Sequence, residues 1–267
     1  MTDPASETAT RWVSRDGIAV DVRGDGVPVV LLHGIGGSAR SCAALAELVT
    51  ADGFRTYCWD APGYGDSLDP EPGLDHADAL LGLFDELGIV SAHVVGTSWG
   101  GVIGAAAAIT APERLRSLVL ADSTRGSGVS DDKASGMLSR VEELGRLGAP
   151  AFAAARASRL VSPRCDSVVA AAVETDMARV RIPGYAAAAG YMARTDLGPA
   201  LHRITAPTLV VVGEDDIVTG VAESRLLADT IPGARFATIL AAGHAAVQER
   251  PEAMAAHVLP LLAGVES

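Results

Sequence analysis

Residues 94–101 read VVGTSWGG, Val94 to Gly101, and contain the only Gly-x-Ser-x-Gly in the chain. The apolar run AHVVGTS leads into Ser98, and WGGVIGAAAAIT, small and apolar, follows it as far as Pro112. The first reads as a strand and the second as a helix, so the serine falls on a strand-to-helix turn. A turn this tight strains the serine backbone and is tolerable only if its neighbours lack bulk. Gly96 and Gly100 meet that need, and Gly101 and Gly104 let the helix lie close against a sheet. With 29 glycines in 267 residues the pentapeptide alone can arise by accident, so the rest of the chain must agree with it.

Working outward, short apolar runs alternate with helical patterns on both sides of the turn. RWVSRD and GIAVDVRG read as two strands around Asp16-Gly17, and VPVVLLHG as a strand buried on both faces. Leu45, Leu48 and Val49 fall at helical spacing, with Ser38 as the expected N-cap. FRTYCWD is the next strand, and Leu80, Phe84 and Leu87 mark the next helix. RLRSLVLADS, APTLVVVGEDD and ARFATILAAGH supply further strands, with helices at VAESRLLADTI and after Pro251. The expected class is α/β, a mostly parallel sheet flanked by helices. Residues 124–203 break the alternation and read as four Ala-rich helices separated near Pro150, Pro163 and Pro183. The expected organisation is a core from 1–123 and 204–267 interrupted by a helical insertion at 124–203.

A net charge of −12 without any basic run disfavours nucleic acid and anionic membranes as partners. The three cysteines, Cys42, Cys58 and Cys165, are widely spaced, which fits reduced thiols rather than a disulfide framework or a zinc site. MTDPASETATRW lacks the basic patch and apolar run of a signal peptide, and no stretch approaches the length of a membrane span. A cytoplasmic protein with no metal or cofactor is expected; oligomeric state is not readable from these features.

A serine hydroxyl needs a general base. Of the six histidines, His244 alone follows a glycine at the end of a late strand, in FATILAAGH, which makes it the candidate base. The imidazole needs a carboxylate to hold its tautomer. Glu214, Asp215 and Asp216 stand at the mouth of one strand and Asp122 at the end of another, and the order Ser, acid, His is met by either set. The oxyanion donors expected are the backbone N–H groups of Trp99, beside the nucleophile, and of Ile35, in LLHGIGGS. His33 and Gly34 then shape that loop.

Together these segments resemble the α/β-hydrolase superfamily across nearly the whole chain outside 124–203. LLHGIGGS looks like its oxyanion loop, WDAPGYGDS like the turn after the fourth strand, and GTSWGG like its nucleophile elbow. VVGEDDIV looks like the acid loop, which points to Asp216, and GHAAVQERPE like the histidine loop, which points to His244. The resemblance implies a helical cap at 124–203. HGIGGSARS, WDAPGYGDS and IPGYAAAAGYMARTDL are further similar to 3-oxoadipate enol-lactonases and their relatives. The implied activity is cofactor-free hydrolysis of a small ester or lactone through an acyl-enzyme. A carbon–carbon bond hydrolase and a small-molecule receptor are the alternatives on the same scaffold.

Specificity is expected from the insertion, whose large side chains Met137, Leu138, Phe152, Tyr185, Tyr191 and Met192 are candidate pocket lining. Arg125, Tyr185 and Tyr191 are the candidate substrate-binding residues. If the substrate carries a carboxylate, as in the lactonases resembled, an arginine should meet it. Arg125, Arg179, Arg181 and Arg194 are the candidates there, with Arg40 in the oxyanion segment.

Overall fold

The computed structural model describes residues 9–266. Residues 1–8, most of the stretch read above for targeting, lie outside it. The opening strands are Thr10–Val13 (β1) and Ala19–Arg23 (β2), joined through Gly17 at φ +77°. They are followed by Pro28–Leu32 (β3), Arg55–Trp59 (β4), Ala92–Thr97 (β5), Leu115–Ala121 (β6), Thr208–Gly213 (β7) and Arg235–Ile239 (β8). These form one sheet in the order β1-β2-β4-β3-β5-β6-β7-β8, in which only β1 with β2 and β2 with β4 are antiparallel.

The apolar runs exist because the parallel strands have no wet face. Val29 and Leu31 of β3 point into one core layer and Val30 and Leu32 into the other. A strand covered on both sides has no polar face to alternate with. One layer is roofed by Ala43–Ala51 (α1) and Pro251–Glu266 (α10). The other is roofed by His76–Leu87 (α2) and Trp99–Thr110 (α3). Ser38 does accept a hydrogen bond as an N-cap, but of a short 3₁₀ turn, Ala39–Cys42, that precedes α1.

Between β6 and β7 the described residues hold four α-helices and no strand: Asp131–Leu147 (α4), Ala149–Arg156 (α5), Ser167–Met177 (α6) and Ile182–Arg194 (α7). Pro150 and Pro183 sit in the first turns of α5 and α7, where a missing N–H costs nothing. Gly220–Thr230 (α8) and the short Ala246–Glu249 (α9) complete the set.

The strand order fixes where a site can form. β4 and β5 lie on opposite sides of β3, so the chain reverses its direction of winding there. The loops after β3 and β5 separate at their carboxyl ends and leave a crevice. No helix among the described residues is long and apolar enough to cross a membrane.

Candidate active site

Ser98 is the residue between β5 and α3, at φ 54° and ψ −116°, a region that residues with a side chain rarely occupy. The elbow is locked by backbone. Ser98 N donates to Ala121 O at 2.8 Å, and Ser98 O accepts from Gly101 N at 3.0 Å and from Ser123 Oγ at 2.8 Å. A Cβ on Gly96 would sit 2.4 Å from Gly100 O, and one on Gly100 would sit 2.3 Å from Leu32 O. Both glycines are therefore required by contact, as the turn reading predicts.

His244 follows β8, and its Nε2 lies 3.0 Å from Ser98 Oγ. Its Nδ1 lies 3.0 Å from Asp216 Oδ2. Asp216 Oδ1 accepts from Val218 N at 2.7 Å and Thr219 N at 3.2 Å, while Oδ2 also accepts from Thr219 Oγ1 at 2.6 Å. Burial alone would raise this carboxyl. The hydrogen bond and charge of His244 outweigh it, with help from Thr219 and the Val218 amide, and hold the pKa at about 2. Asp216 is thus an anion aimed at the imidazole. Thr219 was not singled out in the sequence, where nothing distinguishes it from other loop threonines.

Asp122 is placed differently. Its Oδ1 accepts from Gly213 N at 2.7 Å, and burial followed by the neighbouring charge of Asp216 pushes its pKa well up. Of the two strand-end acids weighed in the sequence, His244 bonds to Asp216. Asp215 accepts from Ser162 Oγ, and Glu214 and Asp215 both pair with Arg164.

His33 is fully buried, donates through Nδ1 to Gly34 O at 2.8 Å and accepts at Nε2 from Ala61 N at 3.0 Å. Both nitrogens are occupied and burial lowers its pKa, so it braces the loop after β3. That loop lies on the serine, with the Cβ position of Gly34 only 3.3 Å from Ser98 Cβ. Ile35 and Trp99 both line the cavity at Ser98, and among the described residues neither backbone N–H has an acceptor. The Trp99 ring is buried among His76, Tyr64 and His33, with centroids at 4.8, 5.4 and 6.0 Å.

The cavity over Ser98 has a volume of about 340 Å³, within the range of small-molecule sites. From the insertion it takes Met137, Tyr185 and Met192, as expected. Three other expected lining residues are elsewhere. Leu138 is exposed on the outer side of α4, Phe152 is buried against Tyr185, and Tyr191 stacks on His76 at 5.2 Å. The five expected arginines are also elsewhere. Arg125 is tied to Glu223 at 2.9 Å and Arg181 to Asp69 at 2.9 Å. Arg194 holds the Leu74 carbonyl and covers the Tyr191 ring, and Arg40 and Arg179 border a separate cleft.

The cavity instead receives Arg140, Arg156 and Arg159. Arg156 is neutralised by Glu143 at 2.6 Å. Arg140 lies beside Tyr185 and forms no ion pair among the described residues. Burial and the like charges of Arg156 and Arg159 lower its pKa against the opposing pull of Tyr185. A sequence signal for it existed: Arg140 lies three residues after Met137 and four before Leu144, on the stripe that α4 buries.

No group of three or more His, Cys, Asp or Glu among the described residues is arranged to hold a metal ion. Cys42, Cys58 and Cys165 are free thiols.

Residues 27–251 match the α/β hydrolase fold family. The chain is 30% identical over 209 residues to 3-oxoadipate enol-lactonase 2 of Acinetobacter baylyi, covering 76% of each. A malate-bound thermophilic esterase from Thermogutta terrifontis is 28% identical with a TM-score of 0.87, over 97% of this chain and 99% of that one. A bromoperoxidase from Bacillus anthracis, 20% identical with a TM-score of 0.85 over 95% of this chain and 100% of that one, shares the fold. With this sheet order, and a family match over most of its length, the chain is a hydrolase belonging to the α/β hydrolase fold family.

Proposed function

We propose that this hydrolase is a cofactor-free serine esterase or lactonase with Ser98, His244 and Asp216 as its triad. The observation that carries the reading is the unbroken chain Ser98 Oγ, His244, Asp216, with both contacts at 3.0 Å, at the floor of a cavity of about 340 Å³. Ser98 Oγ attacks the carbonyl carbon while its proton passes to His244 Nε2. Asp216 keeps the other proton on Nδ1 and stabilises the imidazolium that forms. The Ile35 and Trp99 amides receive the oxyanion, and Trp99, as the first residue of α3, adds the positive end of a helix. His244 returns the proton to the leaving alcohol or enol, and water then releases the acyl group by the same steps in reverse.

Residues 124–203 act as the cap that selects the substrate, and Arg140 suits one whose acyl or alcohol part carries a carboxylate. Support comes from a half-buried guanidinium facing the cavity with no carboxylate partner among the described residues. Such a group gains most from an incoming anion. The names of the relatives agree, one an enol-lactonase and another an esterase crystallised with malate, an organic acid.

The decisive experiment is labelling by a fluorophosphonate together with turnover of a simple aryl ester. The expected result is one label, at Ser98, and loss of both signals in Ser98→Ala with the fold intact. A label at another residue, or an active Ser98→Ala, would overturn the triad.

A further inference from the structure

His244 is flanked by two amides that tie it to the insertion, one directly and one through the Glu249 carboxylate. Ala245 N, just after it, donates to Leu160 O at 2.7 Å. Gly243 N, just before it, donates to Glu249 Oε1 at 2.7 Å, and the other oxygen of the same carboxylate accepts from Ser162 N at 2.9 Å. Ser162 Oγ in turn donates to Asp215 Oδ2 at 2.5 Å, one residue before the acid that holds the imidazole. Three residues of the insertion, Leu160 to Ser162, therefore touch the loops that present both His244 and Asp216.

The packing leaves no slack in this brace. A Cβ on Gly243 would lie 2.6 Å from Val161 C and from Ser162 N, and one on Gly213 would lie 2.2 Å from Gly243 O. Glu249 and Ser162 are only 5% and 3% exposed, so water has little access to replace the bonds. Burying a carboxylate is costly unless donors satisfy it. Here two amides do so, one on each oxygen. Only a carboxylate accepts at both ends; the isosteric glutamine would turn an NH₂ toward one of the two N–H groups.

We infer that Glu249 is a positioning residue: it clamps the histidine loop to the insertion and thereby sets the distance between His244 Nε2 and Ser98 Oγ. The inference rests on the serine hydrolase reading above. The insertion then serves the proton transfer as well as the choice of substrate. Glu249 meets neither substrate nor the imidazole, so its loss should act on the rate and spare binding.

The test is Glu249→Gln, assayed well below its Tm with a neutral aryl ester. The expected result is a kcat lower by about 10- to 100-fold, the scale set by a misplaced catalytic group, with KM within about threefold. The proton on His244 Nδ1, followed by NMR, should broaden or shift. A purely structural role would lower Tm and leave both kcat and that resonance in place. A kcat within twofold of wild type with the resonance unmoved therefore overturns the inference, whatever happens to Tm. If Glu249→Gln does not fold, Glu249→Asp, too short to reach both amides, is read by the same criteria. Wild type and Ser98→Ala run beside it separate the two levels. A wild type without Ser98-dependent turnover counts against the triad; an active wild type matched by the Glu249 variant counts against Glu249 alone.

Discussion

Asp122 and Asp216 follow the carboxyl ends of adjacent strands, yet their surroundings shift their ionisation in opposite directions. Asp122 accepts from Gly213 N inside the sheet edge and is pushed toward its protonated form, whereas Asp216 accepts four hydrogen bonds, one of them from His244, and stays ionised at a pKa of about 2. The ionised member of the pair is the one that reaches the imidazole. Each raises the other's cost of ionising, and the split follows from which has more donors.

This division separates the two acids kinetically. Asp216→Asn keeps the shape but favours the wrong imidazole tautomer, so kcat should fall by roughly 10⁴. Asp122→Asn keeps the shape and removes a charge that burial already disfavours, so it should leave kcat within about threefold. Steady-state kinetics on one aryl ester decides it, and the reverse pattern would move the triad acid to Asp122.

The same pair should mark the pH dependence of stability, with opposite signs. Asp122 has a folded pKa above its unfolded value, so its contribution is full below about pH 3.9 and is lost as pH rises through the folded value. Asp216 has a depressed one, so its contribution is present above about pH 3.9 and is lost as pH falls through about 2. In thermal melts from pH 4 to 8, the Tm of Asp122→Asn should gain on wild type as pH rises. A constant offset between the two curves would refute the assignment.

The backbone at Ser98 makes a prediction independent of catalysis. At φ 54° a Cβ is strained whether the side chain is serine or alanine, and only glycine relieves it. Ser98→Gly should therefore be more stable than Ser98→Ala by about 1 kcal/mol, the strain relieved less the backbone entropy of glycine. Urea unfolding of the two variants measures this directly. Equal midpoints would mean that the elbow stores no strain.

Arg140 should discriminate charge in the substrate. Arg140→Met keeps an unbranched apolar stem and removes the guanidinium. For the half-ester of a dicarboxylic acid, kcat/KM should drop by about 10- to 100-fold, the worth of one charge-assisted bond. For the corresponding neutral diester it should change by less than about threefold. Parallel losses on both esters would assign Arg140 to packing.

The fold was legible because buried parallel strands such as Val29–Leu32 cannot avoid a continuous apolar run. The elbow and the histidine loop were legible because Gly96, Gly100 and Gly243 are spaced by contacts that admit no Cβ. Local sequence left the acid undecided, since Asp122 and Asp216 both follow apolar strands and only the three-dimensional donors tell them apart. Arg140 was hidden for another reason. α4 is polar on most of its surface, and an arginine on its narrow buried stripe reads as one more solvated charge. Arg125 and Arg181 misled in the same way, because their carboxylate partners Glu223 and Asp69 are distant in sequence.

The backbone contact at Gly243 also governs how this protein could be rebuilt. Where Val161 and Ser162 press against a residue with no side chain, the insertion fits the core by shape as well as by hydrogen bonds. Grafting helices from another hydrolase onto Thr124 and Arg203 would not transplant specificity alone. Unless the donor brings a segment that passes Gly243 equally closely and offers an amide to Glu249, the chimera acquires a hole and an orphaned buried carboxylate beside His244. Exchange of modules in this scaffold therefore has a minimum unit, Leu160–Ser162 together with Gly243 and Glu249, and chimeras that split it should express as proteins with an empty, poorly formed site.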